Sequence, residues 1–141
     1  MVNIEELGEI KNKNSTNKKE TPGLVMAYLG DAVWELVVRE YFIKKGLNIL
    51  NLNKKVTSFV NARVQSRIYK DVFLTVEEEY QDIGRRAKNA NIKSFPKTCD
   101  KLEYREATAF EAIIGALYLD GKNKIIEKII EKYAKEDRDG I

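Results

Sequence analysis

Two stretches of this chain hold acids where acids are costly. Residues 23–38 read GLVMAYLGDAVWELVV, and Asp31 and Glu35 are their only charges. Residues 107–119 read ATAFEAIIGALYL, and Glu111 is their only charge. Both stretches are apolar around the whole turn of a helix, the mark of a centrally buried one. An ionised carboxylate there is expensive unless it is paired or binds a metal. Neither stretch contains a Lys, Arg or His to serve as partner. Hard carboxylate oxygens without nitrogen or sulfur ligands suit Mg²⁺, with water completing the octahedron. Gly30 and Gly115 lie inside the same two helices. A mid-helix glycine costs about 1 kcal/mol against alanine, and close backbone approach is a reason to keep one. If the helices cross at these glycines, Asp31 and Glu111 can share one ion. The spacing leaves a second arrangement open: Asp31 and Glu35 line a solvated edge, and Glu111 meets a distant arginine such as Arg39 or Arg105.

Composition narrows the chemistry further. The chain has 141 residues, enough for one domain that folds without a disulfide or metal staple. It has no histidine and a single cysteine, Cys99. That excludes Ser-His-Asp triads, Cys-His dyads, the usual zinc hydrolases and an internal disulfide framework. Catalysis must rest on carboxylates, lysines, hydroxyls or a hard cation. The first ten residues, MVNIEELGEI, carry acids where a secretory signal needs a basic end and an apolar run. No charge-free stretch approaches the ~20 residues that span a bilayer. A soluble cytoplasmic protein is expected.

The elements that must position these acids are helices. Only two prolines occur, Pro22 and Pro96, and no segment alternates in the manner of a strand. The periodicity predicts an all-α domain. Residues 1–20 form a polar, flexible lead-in, with a short helical turn around residues 4–10. The domain proper covers residues 21–135, and residues 136–141 fray. A first helix starts at Thr21-Pro22, with Thr21 as cap, and runs to about Lys45 before Gly46. A second covers residues 53–72. A third opens on a capping box of Thr75 and Glu78 and ends near Lys88. Residues 89–99 form a loop. A fourth helix spans residues 100–119, and a fifth spans residues 123–135.

Positive charge is segregated. Residues 53–70 contain Lys54, Lys55, Arg63, Arg67 and Lys70 and no acid, a net +5. Residues 83–101, including Arg85, Arg86 and Lys88, also carry net +5. The chain as a whole carries only +3, so the remainder is at −7. Thr57, Ser58, Asn61, Gln65 and Ser66 interleave with the first set, a mixture suited to phosphates and ribose hydroxyls. The plain alternative is a solvated helix face followed by a basic loop. Membrane-surface binding is less favoured, because the second helix has no aromatic-rich face to insert.

The residues from Tyr28 to Val33, Tyr-Leu-Gly-Asp-Ala-Val, resemble the ribonuclease III signature. The run from Thr108 to Asp120, TAFEAIIGALYLD, resembles that family's second acidic helix. The likeness covers about residues 24–122. The short length, together with Arg86-Ala87-Lys88-Asn89-Ala90, Pro96-Lys97-Thr98 and Tyr104-Arg105, resembles the bacterial Mini-ribonuclease III branch. Two acids of the usual family cluster are absent, with Ala27 and Thr108 in their places, as in that branch.

The resemblance implies a homodimeric helical endonuclease fold that hydrolyses double-stranded RNA, one strand per site. Asp31 and Glu111 would be its catalytic and Mg²⁺-binding residues. Lys54, Lys55, Arg63, Arg85, Arg86 and Lys88 are candidates for RNA backbone contacts, and Glu35 is structural. The implied substrate is a large-subunit (23S) ribosomal RNA precursor, with a ribosomal protein as an allowed helper. Trp34, Phe42, Phe110 and Tyr118 either complete a dimer interface or fill the protomer core. Two other readings stand beside the nuclease: a non-catalytic RNA-binding or ribosome-associated module on the same fold, and a generic helical interaction protein.

Overall fold

A computed structural model describes residue 3 and residues 17–139. The helical turn expected around residues 4–10 lies outside the described residues. Six helices and no strand occur among the described residues. They are α1 (Gly23–Ile43), α2 (Ile49–Phe59), α3 (Ala62–Thr75), α4 (Glu78–Lys88), α5 (Lys101–Leu119) and α6 (Asn123–Asp139). None is long and apolar enough to cross a membrane.

The fold is organised around α5. Asp100 caps it by accepting from the Glu103 backbone N–H at 2.7 Å, and Glu103 returns the bond to the Asp100 N–H at 3.0 Å. From Glu106 to Leu117 every residue except Glu111 is buried. Such all-round burial requires neighbours on all sides, and α1, α3, α4 and α6 supply them. Phe110 meets Trp34 of α1 edge to face, with ring centroids 4.9 Å apart. The Trp34 indole donates to the Phe59 carbonyl at 3.0 Å, which ties the end of α2 to the same core. Trp34, Phe42 and Phe110 thus fill the protomer core, and Tyr118 alone of the four candidates is exposed. α6 buries Ile126, Ile130 and Tyr133 on one face and leaves Ile125 exposed.

The sequence differs from the structure at four boundaries. Residues 53–72 are two helices, because the chain is extended at Asn61 (φ −157, ψ 156). Asn61 holds both ends: its amide donates to Thr57 of α2 at 3.0 Å, and its carbonyl oxygen accepts the Val64 N–H of α3 at 3.0 Å. The expected capping box at Thr75 does not form. The Thr75 hydroxyl turns back onto the Val72 carbonyl, finishing α3, and α4 starts after Glu77 with no side-chain cap. Thr21 does not cap α1 either. Its hydroxyl donates to the Asn17 carbonyl, and Pro22 stands at the cap position. α6 also continues past Lys135 to Asp139.

Candidate active site

α1 and α5 cross at their glycines. A Cβ built on Gly30 would lie 1.6 Å from the Glu111 carbonyl oxygen. One built on Gly115 would lie 2.4 Å from the Met26 carbonyl oxygen. Backbone meets backbone here, so no side chain fits at either position. The crossing sets Asp31, the residue after Gly30, against Glu111, and the two carboxyl groups come within hydrogen-bonding reach. Asp31 is at the surface and Glu111 lies partly beneath it.

Burial, followed by the charge of Asp31 and the hydrogen bond with it, pushes the Glu111 carboxyl up to about 8. The Gln65 side chain also hydrogen-bonds Glu111 and pulls in the opposite direction. Among the described residues no cation figures among the groups that act on Glu111. The solvated-edge arrangement is therefore not what the fold adopts for Glu111, which faces Asp31 rather than Arg39 or Arg105. Glu35 does take a structural partner, the Arg39 guanidinium at 3.6 Å one turn along. Among the described residues no group of three or more His, Cys, Asp or Glu is arranged to hold a metal ion. The pair offers two carboxylates. Mg²⁺ is commonly held by one or two carboxylates plus water and substrate phosphate, so this donor set fits it.

α3 turns two of the hydrogen-bonding residues interleaved with the basic segment inward. Gln65 and Ser66 are buried, not surface hydrogen-bonders. Ser66 donates to Glu106 at 3.0 Å, and Glu106 is a second buried acid on α5. A signal for Gln65 was present: it falls at helical spacing with Ile68, Tyr69 and Val72, the buried face of α3.

The six basic candidates have different surroundings. Lys54 is exposed. Lys55 pairs with Asp137 at 3.3 Å, and Arg63 pairs with Glu103 at 3.6 Å. Arg85 lies over the Phe73 ring at 5.2 Å, and the two residues share with Lys88 and Lys70 the lining of an open hollow of about 400 Å³. Arg86 is half-buried. Its guanidinium donates to the Thr21 carbonyl at 2.9 Å and to the Lys18 carbonyl at 3.0 Å. The segment it holds is fixed again by Lys18, whose ammonium contacts both Asp120 oxygens at 2.5 and 2.6 Å.

Comparison with known proteins identifies the family. Residues 24–122 match the family model described as the ribonuclease III domain. A "Mini-ribonuclease 3-like protein" of Ilyobacter polytropus is 55% identical over 118 residues, covering 84% of this chain and 93% of that protein. A "Mini-ribonuclease 3" of Brevibacillus brevis is 41% identical over 113 residues, covering 79% and 84%. The crystal structure of a Fusobacterium nucleatum protein superposes with a TM-score of 0.77 at 51% identity, covering 84% of this chain and 95% of that one.

Proposed function

The chain belongs to the ribonuclease III family, and from that premise we propose that it cuts double-stranded RNA at a site made by Asp31 and Glu111, with Mg²⁺ as its cation. Endoribonuclease activity on RNA is the family's chemistry. The observation that carries the site is the meeting of two carboxyl groups from helices 80 positions apart in sequence, with no protein cation acting on Glu111. Two carboxyl groups brought together, one exposed and the other half-buried and forced up to about 8, make a place where a divalent ion is electrostatically welcome once the proton leaves.

Asp31 and Glu111 would hold the ion between them. When bound, such an ion supplies an activated water and positive charge beside the scissile phosphate. Glu111 keeps a proton on its carboxyl at neutral pH in the free protein and must release it to become a ligand. Asp31, exposed, is the carboxylate that faces incoming phosphate. The helices that carry both are locked by backbone contact at Gly30 and Gly115, so the pair is set before substrate arrives.

We assign the duplex contacts to the basic segments, with Lys54, Arg85 and Lys88 as backbone-binding groups and Lys55 and Arg63 as further candidates, whereas Arg86 is occupied by the carbonyls of Thr21 and Lys18. Duplex RNA is read by shape and 2′-hydroxyls, for which rigid helices with a basic loop are sufficient. The working form is a homodimer. Its support is the apolar stripe on the outer side of α1, where Val25, Tyr28 and Leu36 are exposed at one-turn and two-turn spacings. The substrate we propose is the duplex of a 23S ribosomal RNA precursor in the cytoplasm, with a ribosomal protein as an allowed helper.

Incubating the protein with a panel of RNA duplexes, with Mg²⁺ and then with chelator, tests the reading. Cleavage should require the metal and vanish in Asp31→Asn, while duplex binding persists. Binding without cleavage at every Mg²⁺ concentration would favour the non-catalytic module.

A further inference from the structure

The bare backbone of Gly84 lets α4 close on its neighbours: a Cβ there would meet the Ile113 side chain of α5 at 3.0 Å and the Tyr69 ring of α3 at 3.6 Å. The Gln81 amide ties α4 to α3 by donating to the Phe73 carbonyl at 2.7 Å. Toward the C-terminal ends of these two helices lies the open hollow of about 400 Å³. Its lining is of two kinds. Tyr69 and Phe73 stand together, with ring centroids 5.5 Å apart, and Leu74 beside them is 78% exposed. Lys70, Arg85 and Lys88 bring three positive charges, and no acid lines the hollow. Among the described residues none of the three takes part in an ion pair. The hollow between α1 and α6 differs, with Glu40, Glu127 and Glu131 in its wall.

This combination exceeds what a duplex backbone requires. Phosphates need cations and polar groups, and an aromatic floor does nothing for them. The bases of a duplex are paired and stacked, so they do not enter a hollow. An unpaired base can enter. Stacking on aromatic rings or an Arg guanidinium inside a cationic groove is how single strands are held. The volume falls in the range of small-ligand sites. We propose that the hollow takes a nucleotide unit with an unpaired base, the base against Phe73 and the Arg85 guanidinium, the phosphates on Lys70 and Lys88. Two sources supply that chemistry: an unpaired stretch adjoining an RNA duplex, and a free nucleotide. The first deepens the duplex-binding reading proposed above and rests on it. Arg85 and Lys88 then keep the phosphates at the duplex edge while the first unpaired base turns inward.

Fluorescence anisotropy in the Asp31→Asn background, where the RNA stays intact, compares three duplexes: blunt, with a short overhang, and with the same overhang stripped of its bases. The abasic overhang carries the same phosphates, so the affinity ratio of the last two reads the base alone. The base-bearing overhang should bind about five-fold or more tightly than the abasic one. Phe73→Leu should bring that ratio to within about two-fold of unity. Lys54→Ala, on the other basic segment, should weaken all three duplexes and leave the ratio where it was. If Phe73→Leu does not fold, a 4-thiouridine in the overhang reads the unaltered hollow. On irradiation it should crosslink to residues 69–74 or 85–89. A ratio near unity, with AMP bound in equilibrium dialysis and released by Phe73→Leu, assigns the hollow to a free nucleotide. A ratio near unity without AMP binding overturns the proposal. A ratio unmoved in folded Phe73→Leu, or a crosslink elsewhere, overturns it too. If no duplex binds at all, the duplex-binding reading fails, and AMP binding alone then decides the hollow.

Discussion

Glu111 is the residue on which charge, burial and function meet. Its carboxyl sits at about 8 against an ordinary value of 4.5, through burial first and Asp31 second. Between those values the folded, metal-free protein keeps a proton that the unfolded chain has released. Stability must then fall as pH rises across that window, by at most about 1.4 kcal/mol per pH unit from this group. The sign is opposite to that of a carboxylate held down by a salt bridge. Urea melts in chelator at a series of pH values should show the parent losing stability relative to Glu111→Gln from about pH 4.5 to about pH 8. Mg²⁺ should restore most of that loss at pH 8 and little of it at pH 5, because an ion stabilises the folded state only where its ligands are free of protons. A parent-minus-variant difference that stays level across the window would mean that Glu111 is not held in the environment described. The sequence made Glu111 conspicuous as the lone charge of residues 107–119. It gave less notice of Glu106, which lies just outside that stretch yet is buried with the Ser66 hydroxyl as partner.

The crossing of α1 and α5 carries that residue-level chemistry. Gly30→Ala would put a methyl group 1.6 Å from the Glu111 carbonyl oxygen, a backbone atom that cannot swing aside. The helices would have to separate, so the variant should lose about 3 kcal/mol or more, beyond the ordinary range for overpacking. It should lose Mn²⁺ binding as well, because the separation moves Asp31 from Glu111. Thermal melts by circular dichroism and a Mn²⁺ titration followed by the electron paramagnetic resonance signal of the free ion check both; a variant that folds and binds like the parent would contradict the contact. This crossing was legible in the sequence because a glycine at mid-helix is a cost without another reason, and two such glycines each lie within one turn of an acid in an apolar stretch. The path of residues 53–72 was not legible. Asn61 sits inside an apolar pattern of helical period with no glycine or proline to mark a break, and only its double hydrogen bonding to Thr57 and Val64 makes it a joint. That joint begins α3 afresh, with Gln65 and Ser66 on its inward face. The Thr75–Glu78 spacing misled for a related reason: a threonine near two helices can finish one as readily as start the next.

Across the whole molecule, charge separates those cations that await a polyanion from those already committed. The two basic segments hold net +5 each against −7 elsewhere, but their members are not equivalent. Lys54 is exposed and Arg85 projects over Phe73, whereas the Arg86 guanidinium is occupied by the carbonyls of Lys18 and Thr21. Each cation that neutralises a phosphate releases a counterion and steepens the salt dependence of binding by about one unit of slope. Lys54→Ala and Arg85→Ala should therefore each flatten the plot of log affinity for duplex RNA against log salt by about one unit, with stability close to the parent. Arg86→Ala should do the reverse. It removes two hydrogen bonds from a charged donor, each contributing about 1.5–3 kcal/mol in such settings, and frees residues 17–21 from the end of α4. Its melting temperature should drop by several degrees while the slope changes little. Binding measured in the Asp31→Asn background keeps the RNA intact during the titration. If Arg86→Ala flattens the slope as much as Arg85→Ala and leaves the melting temperature alone, Arg86 faces RNA, and residues 17–21 are held by the Lys18–Asp120 contact instead.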